Sequence, residues 1–144
     1  MYIPEVPNNS LTDNLNKLVQ LTQQLSGEYS FYYSSPLNER DIAEIEKNNN
    51  IAFPVSYKEW LQFTNEARIC GAIAEFYDIN KILNSSSFVQ GDTVIIGSII
   101  GDGEIVCFSK SDGVLFTNDH GDIYEVESFD DILLGVIEQL QYRL

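Results

Sequence analysis

Apolar residues near the start of the chain recur every three or four positions, which is the spacing of one face of an α-helix. Asn9 and Ser10 are suitable caps at the beginning of this segment, and Gly27 is a suitable stop at its end. The pattern predicts an amphipathic first helix. Its apolar side carries Leu11, Leu15, Leu18, Val19, Leu21 and Leu25.

Two further helices are predicted before residue 66. The first begins at Asn38, which has Asp41 three residues later as in an N-cap pattern, and it ends at the three asparagines 48–50. The second begins at Pro54, a residue favoured at helix starts. Its apolar face could form a ligand groove, but core packing is the favoured interpretation. That face carries Tyr57, Trp60, Leu61 and Thr64.

From Gly71 onward the apolar spacing changes to two, or to short apolar runs between turn residues, which indicates β-strands. The turns have compositions typical of tight hairpins. Consecutive hairpins imply an antiparallel meander of about five to six strands. The strands are predicted at 72–77, 93–99, 104–109, 114–118 and 123–127, with turns at Gly101-Asp102-Gly103, Ser111-Asp112-Gly113 and Asp119-His120-Gly121-Asp122.

A closing helix follows the strands. Ser128 with Asp131 forms a capping-box pattern ahead of an apolar stripe. The stripe carries Phe129, Ile132, Leu133, Val136, Ile137 and Leu140. Helices, then strands, then a final helix predict an α+β fold in which an antiparallel sheet packs against N-terminal helices and one C-terminal helix. No linker or repeat divides the chain, so residues 1–144 are expected to form one domain.

The net charge is −14, with 22 acidic against 8 basic residues. The imbalance is greater after residue 72, where 13 acidic residues stand against 3 basic ones. Such a surface repels nucleic acid and anionic lipid and speeds encounter with basic partners. Solubility alone is the simpler explanation, and the charge by itself does not exclude it.

Composition also bears on the compartment. The chain starts without the basic and apolar regions of a secretory signal, and its longest apolar stretch, Val94–Ile100, is too short to span a bilayer. Cys70 and Cys107 have no metal-ligand spacing and are interpreted as buried thiols, with a disulfide, or a reactive or metal-binding role, as the less favoured alternatives. A cytoplasmic protein without a membrane or nucleic-acid partner is expected, either a monomer or a weak homodimer.

Candidate chemistry is sparse. His120 is the single histidine, and the string from Asp119 to Asp122 could ligate a cation, but turn preference explains it adequately and is the favoured interpretation. Glu125 and Glu127 are expected on one strand face, as a solvated surface, a binding edge or, least favoured, a catalytic pair. The sequence predicts no catalytic residue, cofactor or metal site.

Consecutive aromatic residues suggest an interface. Phe31, Tyr32 and Tyr33 cannot all be buried on one face, so at least one ring should be exposed. Exposed aromatic side chains often anchor protein partners. Tyr32 and Tyr33 are therefore candidate binding residues, and an exposed tyrosine is expected beside acidic side chains.

Two segments match a known family pattern. The stretch F53-P-V-S-Y-K-E-W-L-Q-F-T-N65 resembles the Pro-x-x-Tyr-Lys-x-(aromatic)-Leu-x-x-x-Asn motif of the SUKH superfamily, which includes the yeast SMI/KNR-type cell-wall assembly regulators. The region from Ile96 to Leu133 resembles the strand-rich half and the Ser-Phe-led last helix of that family. The resemblance spans about residues 38 to 140. The family usually has Gly-Gly directly after the Asn of the motif, whereas here residues 66–70 stand between Asn65 and Gly71.

The resemblance implies a SUKH-like, non-enzymatic intracellular domain. Bacterial members of the superfamily commonly bind and neutralise polymorphic toxins, including nucleases, whereas the fungal relatives resemble signalling scaffolds. The expected function is that of an immunity protein whose acidic face meets a cognate toxin with a basic surface, such as a nuclease, and a regulatory scaffold is the alternative. The candidate residues of that face are Glu104, Asp119, Asp122, Glu125 and Glu127.

Overall fold

The computed structural model describes residues 1–99 and 103–144. The predicted turn at 101–103 therefore lies largely outside the described residues. The helices are α1 (Thr12–Leu25), α2 (Glu39–Asn49), α3 (Val55–Leu61), α4 (Ile79–Leu83), α5 (Ser86–Gln90) and α6 (Phe129–Gln141). The strands are β1 (Tyr32–Tyr33), β2 (Ala67–Ile69), β3 (Ala74–Phe76), β4 (Thr93–Ile99), β5 (Glu104–Ser109), β6 (Leu115–Asp119) and β7 (Asp122–Glu125).

The seven strands form one sheet in sequence order, and every neighbouring pair is antiparallel. The predicted α+β architecture with an antiparallel meander is confirmed. The sheet is wider than the five to six strands expected because β1 and β2 add two and three residues at one edge. The residues of β2, Ala-Arg-Ile, alternate in burial, but three residues are too few for such a pattern to be distinguished in the sequence.

The predicted helix faces are the ones that build the core. Every residue predicted on the apolar stripe of α6 is buried, and Tyr57, Trp60 and Leu61 of α3 are at most 1% exposed. The Trp60 ring stacks on that of Phe129, with centroids 5.1 Å apart, and so joins α3 to α6. Helix α6 also packs against α1. Core packing thus explains the aromatic stripe of α3.

Residues 66–70, which depart from the family pattern, have a definite place in the sheet. They include β2, which pairs with both β1 and β3. The turn that follows contains Cys70 and Gly71, both with positive φ, and the Gly71 N–H donates to the Ser30 carbonyl at 2.7 Å. The additional residues therefore supply a strand and its turn.

Two one-turn helices, α4 and α5, connect β3 to β4 and were not predicted. Asp78 caps α4 by accepting from the Asn80 N–H, and Ser85 caps α5 by accepting from the Phe88 N–H. Five residues are too few to establish a helical period, so the caps were the available sequence signal.

Both cysteines are free and buried, in agreement with the structural interpretation of their spacing. Cys107 lies on the sheet face that also carries Phe116, since these two residues pair across β5 and β6. Burial raises the pKa of the Cys107 thiol to about 11 and that of Cys70 above its ordinary value. Neither thiol is activated as a nucleophile.

Candidate functional site

The hairpin of β6 and β7 turns through two residues, His120 and Gly121. Both have positive φ, 53° and 99°, as a type I′ turn requires. The Gly121 N–H donates to Asn118 Oδ1 at 2.8 Å, and His120 Nδ1 lies 2.7 Å from Asp119 Oδ1. The turn interpretation of this string is confirmed.

The contact of His120 with Asp119 does not extend into a larger set of ligands. Across residues 1–99 and 103–144, no group of three or more His, Cys, Asp or Glu side chains is arranged to hold a metal ion. The polar chemistry of the hairpin therefore consists of separate carboxylates around its strands.

The register of the hairpin places its side chains on two opposite faces. Asp119 pairs with Asp122 and Thr117 with Tyr124, so Asp122 and Tyr124 share the face that α6 covers. Ile123 and Glu125 point to the opposite face because successive strand residues alternate. Each face of β7 therefore carries one carboxylate and one large apolar side chain.

None of these four side chains is taken into the core. All residues of β7 are exposed, with Ile123 at 61% and Tyr124 at 58% exposure. Two adjacent large apolar residues outside the core are candidates for anchoring a partner, since such residues contribute most when a partner desolvates them.

A groove of about 270 Å³ opens between α6 and the sheet on the Tyr124 face. Carboxylates from both layers line it. They are Glu104 of β5 with Asp131 and Glu138 of α6, alongside Ile99, Thr117 and Gly135. The groove therefore continues the acidic character of the hairpin toward the helix.

Positive side chains are missing from this part of the sequence. No Lys or Arg stands between Lys110 and Arg143, whereas the same stretch holds eight acidic residues. The Lys and Arg ion pairs among the described residues involve Glu44, Glu46 and Glu66, all in the first half of the chain. The acidic stretch thus keeps a negative potential that attracts cationic partners. Its members are Asp112, Asp119, Asp122, Glu125, Glu127, Asp130, Asp131 and Glu138.

The five predicted acidic candidates do not form one face. Glu104, Asp119 and Asp122 lie on the α6 side of the sheet, and Glu125 lies on the other side. Strand β7 ends at Glu125, so Glu127 lies beyond the strand and lines a separate depression beside Pro54 and Gly113. The expected shared face of Glu125 and Glu127 is therefore corrected, while the role of each residue in binding stays a prediction.

The tyrosine candidates lie at the far edge of the sheet from β7. Tyr33 is 3% exposed and its hydroxyl meets Thr22 Oγ1 at 2.8 Å, so it belongs to the core and presents no ring to a partner. Tyr32 is 38% exposed, but its ring lies under the guanidinium of Arg68, 4.4 Å from centroid to Cζ. The expectation that one ring of this segment is exposed is therefore confirmed by Tyr32, and its role in binding stays a prediction. Tyr124 is an exposed tyrosine whose strand neighbours include Asp122 and Glu125.

Sequence reasoning missed Ile123 and Tyr124. Alternation predicts that one of two adjacent strand residues is buried, and that rule concealed the exposure of both. The available signal was the order Asp-Ile-Tyr-Glu directly after a two-residue turn, because carboxylates at both ends of a short last strand are unfavourable in a core.

Comparison with known proteins identifies the family to which this chain belongs. None of the curated proteins matches the chain. Of the helices described, none has the length and apolarity that a membrane crossing requires. The model of the SMI1 / KNR4 family (SUKH-1) matches residues 36–136, which include α2 to α5, all strands from β2 to β7 and the first half of α6. The chain therefore belongs to the SMI1 / KNR4 (SUKH-1) family.

Proposed function

We propose that this protein is a bacterial immunity protein that binds a cognate protein toxin in the cytoplasm and blocks its active site or substrate groove. Family membership supports this role, since SUKH domains include immunity proteins that bind toxins. The observation that carries the proposal is the exposed pair Ile123 and Tyr124 on a hairpin whose flanking charges are all negative.

The two parts of this surface have different tasks in binding. Carboxylates without neighbouring Lys or Arg steer a basic surface toward the hairpin, which raises the association rate. Ile123 and Tyr124 are then desolvated by contact with the toxin, which slows dissociation of the complex. A nuclease is the favoured class of toxin because its substrate cleft is basic.

The protein encoded immediately upstream of this chain is the first binding partner to test. The purified proteins would be mixed in a surface-binding assay, and the toxin would be expressed with and without this chain to measure cell survival. We expect tight binding and protection. If the wild-type chain neither binds nor protects, toxin neutralisation is wrong and the regulatory scaffold is the remaining function.

Paired substitutions test the anchoring residues. Ile123→Ser with Tyr124→Ser should weaken binding by about 2–4 kcal/mol, chiefly through faster dissociation, because hot-spot side chains lose this much when truncated. The matched control is Val55→Ser with Tyr142→Ser, which removes two apolar residues that are 71% and 85% exposed elsewhere. Equal effects of the two pairs would exclude the hairpin as the anchor.

Charge removal tests the steering. Asp119→Asn with Asp122→Asn should lower the association rate at low salt and reduce its salt dependence. Glu5→Gln with Glu28→Gln removes the same charge from exposed positions in the first half of the chain and serves as the control. A salt-insensitive association rate of the wild-type protein would contradict steering and leave toxin binding intact.

A further inference from the structure

Strand β7 has one edge that is not paired. It is the last strand of the sheet, and the Val126 N–H donates to the Leu115 carbonyl at 2.9 Å. Hydrogen-bonded pairs alternate along an antiparallel ladder, so the pairs that exchange bonds are 117 with 124 and 119 with 122. The N–H and C=O groups of Ile123 and Glu125 therefore point away from β6.

No other described residue covers these backbone groups. Beyond the β6–β7 ladder, no hydrogen bond from residues 1–99 or 103–144 reaches the backbone of Ile123 or Glu125. All four residues of β7 are also exposed. The opposite edge, β1, has two residues, one of which is the buried Tyr33. The free edge of β7 is thus the longer of the two places where another strand can join the sheet.

The side chains of β7 specify what such a strand must carry. In order they are acidic, apolar, apolar and acidic, from Asp122 to Glu125. Directly opposed side chains share a face, and opposite charges or apolar pairs stabilise the contact. A complementary strand therefore reads basic, apolar, apolar, basic. This order is the same in both directions, so it fits a parallel or an antiparallel strand.

The same charges disfavour a second copy of this chain. In an antiparallel pair the outward-pointing residues oppose one another, so two β7 edges would set Ile123 opposite Glu125, or set either residue opposite its own equivalent. None of these registers brings a positive charge to Asp122 or Glu125, and two chains of net charge −14 repel each other. A parallel arrangement would likewise bring no positive charge to these carboxylates, because no Lys or Arg stands between Lys110 and Arg143. The occupant must therefore be a different chain with positive charge.

We propose that the free edge of β7 binds an extended segment of the toxin as an eighth strand, and that this segment carries the order basic, apolar, apolar, basic. This inference deepens the proposed function and rests on it. Backbone hydrogen bonds to Ile123 and Glu125 hold the segment, and the side chains of β7 select its sequence. The carboxylates of Asp119 and Glu104, on the face of Asp122, extend the preference for positive charge.

A cyclic hairpin peptide provides a defined probe because it presents a strand that is already extended. Its outer strand would read Lys-Val-Ile-Arg, and binding would be followed by amide resonances of the full-length protein. Saturable shifts centred on Ile123 and Glu125 are expected. Methylation of the outward peptide amides, or replacement of its strand by Glu-Val-Ile-Glu, should abolish them. Shifts centred elsewhere, no shifts, or equal binding of the methylated peptide would overturn the proposal.

Two variants of one residue separate the backbone from the side chain. Ile123→Ala removes the apolar group and keeps the N–H, whereas Ile123→Pro removes the outward N–H as well, at an edge position where proline is tolerated. We expect the proline variant to bind the peptide about tenfold more weakly than the alanine variant, the loss of one ladder hydrogen bond. Equal affinities of two folded variants would overturn edge pairing.

The toxin assay distinguishes failure of this inference from failure of the proposed function. Wild-type protein that does not protect cells from the upstream-encoded toxin contradicts the proposed function. Wild-type protein that protects, together with a folded Ile123→Pro variant that protects as well as Ile123→Ala, contradicts edge pairing alone. Loss of protection specific to the proline variant supports both.

Discussion

Two buried tyrosines differ in whether their hydroxyl groups have a partner, which gives a matched test of the packing. Tyr57 is 1% exposed, and its hydroxyl has no hydrogen-bond partner among the described residues. Tyr33 is 3% exposed and its hydroxyl lies 2.8 Å from Thr22 Oγ1. Replacing each by phenylalanine removes the same oxygen from two different environments.

The expected changes in the free energy of unfolding have opposite signs. A buried polar group without a partner costs about 1–3 kcal/mol, so Tyr57→Phe should stabilise the protein by about 1–2 kcal/mol. The Thr22 hydroxyl donates to the Leu18 carbonyl at 2.8 Å, so Tyr33 is the donor in its bond with Thr22. Tyr33→Phe should therefore destabilise the protein by about 1 kcal/mol.

Urea unfolding at pH 7 measures both changes, with thermal unfolding as a second assay. A domain of this size shifts in melting temperature by about 3 °C per kcal/mol, so the two variants should lie on opposite sides of the wild type. Tyr142→Phe is the control because that side chain is 85% exposed, and its midpoint should not move. The urea dependence of the free energy should be unchanged in all three.

One result would refute this reasoning about Tyr57. If Tyr57→Phe lost as much stability as Tyr33→Phe, the Tyr57 hydroxyl would have to make a stabilising hydrogen bond in solution. A stabilised Tyr57→Phe together with an unchanged Tyr33→Phe would instead show that the bond of Tyr33 to Thr22 contributes nothing net.

Three further properties can be measured by unfolding. Gly97→Ala should destabilise by about 1–3 kcal/mol in urea, because a Cβ there would lie 2.4 Å from the Glu75 carbonyl oxygen and 2.7 Å from a ring carbon of Phe76; wild-type stability would contradict this clash. Ser128→Ala should cost about 1 kcal/mol by removing the cap of α6, and Ser128→Asp should restore most of it. Burial raises the pKa of Cys107 in the folded protein from 9.0 to about 11. The thiol therefore contributes to the free energy of unfolding fully below pH 9, and this contribution is lost as the pH rises to about 11. Cys107→Ala should flatten the dependence of the free energy of unfolding on pH between 9 and 11, and an unchanged dependence would contradict the raised pKa.

The helices were predictable because their burial follows a simple period. Leu15 and Leu18 of α1, and Ile132 and Val136 of α6, are buried at the positions that helical spacing indicates. The strands from β4 onward were predictable from their hairpin turns, and His120 and Gly121 adopt the positive φ that such a turn requires. Local chemistry determined these elements, so the sequence alone revealed them.

The binding surface depended on information that local patterns do not contain. Whether Glu104 and Asp122 share a face depends on the register across three strands, which the pairing of β5, β6 and β7 determines. Tyr32 and Tyr33 looked equivalent, but one rests beneath Arg68 and the other bonds Thr22 of α1. Sequence patterns predicted candidates, and only tertiary pairing separated them.

The energetics of β7 make it the part of the sheet best suited to partner-specific variation. Its four side chains are exposed, so substitutions there should change stability by about 0.5 kcal/mol or less, unlike those in the buried stripe of α6. The fold therefore places little constraint on the order acidic, apolar, apolar, acidic between Asp122 and Glu125. Two large apolar residues in water add nothing to the core and increase the risk of association. Their presence on an unpaired edge is accounted for if a partner covers them, and that partner must tolerate or require the two flanking carboxylates.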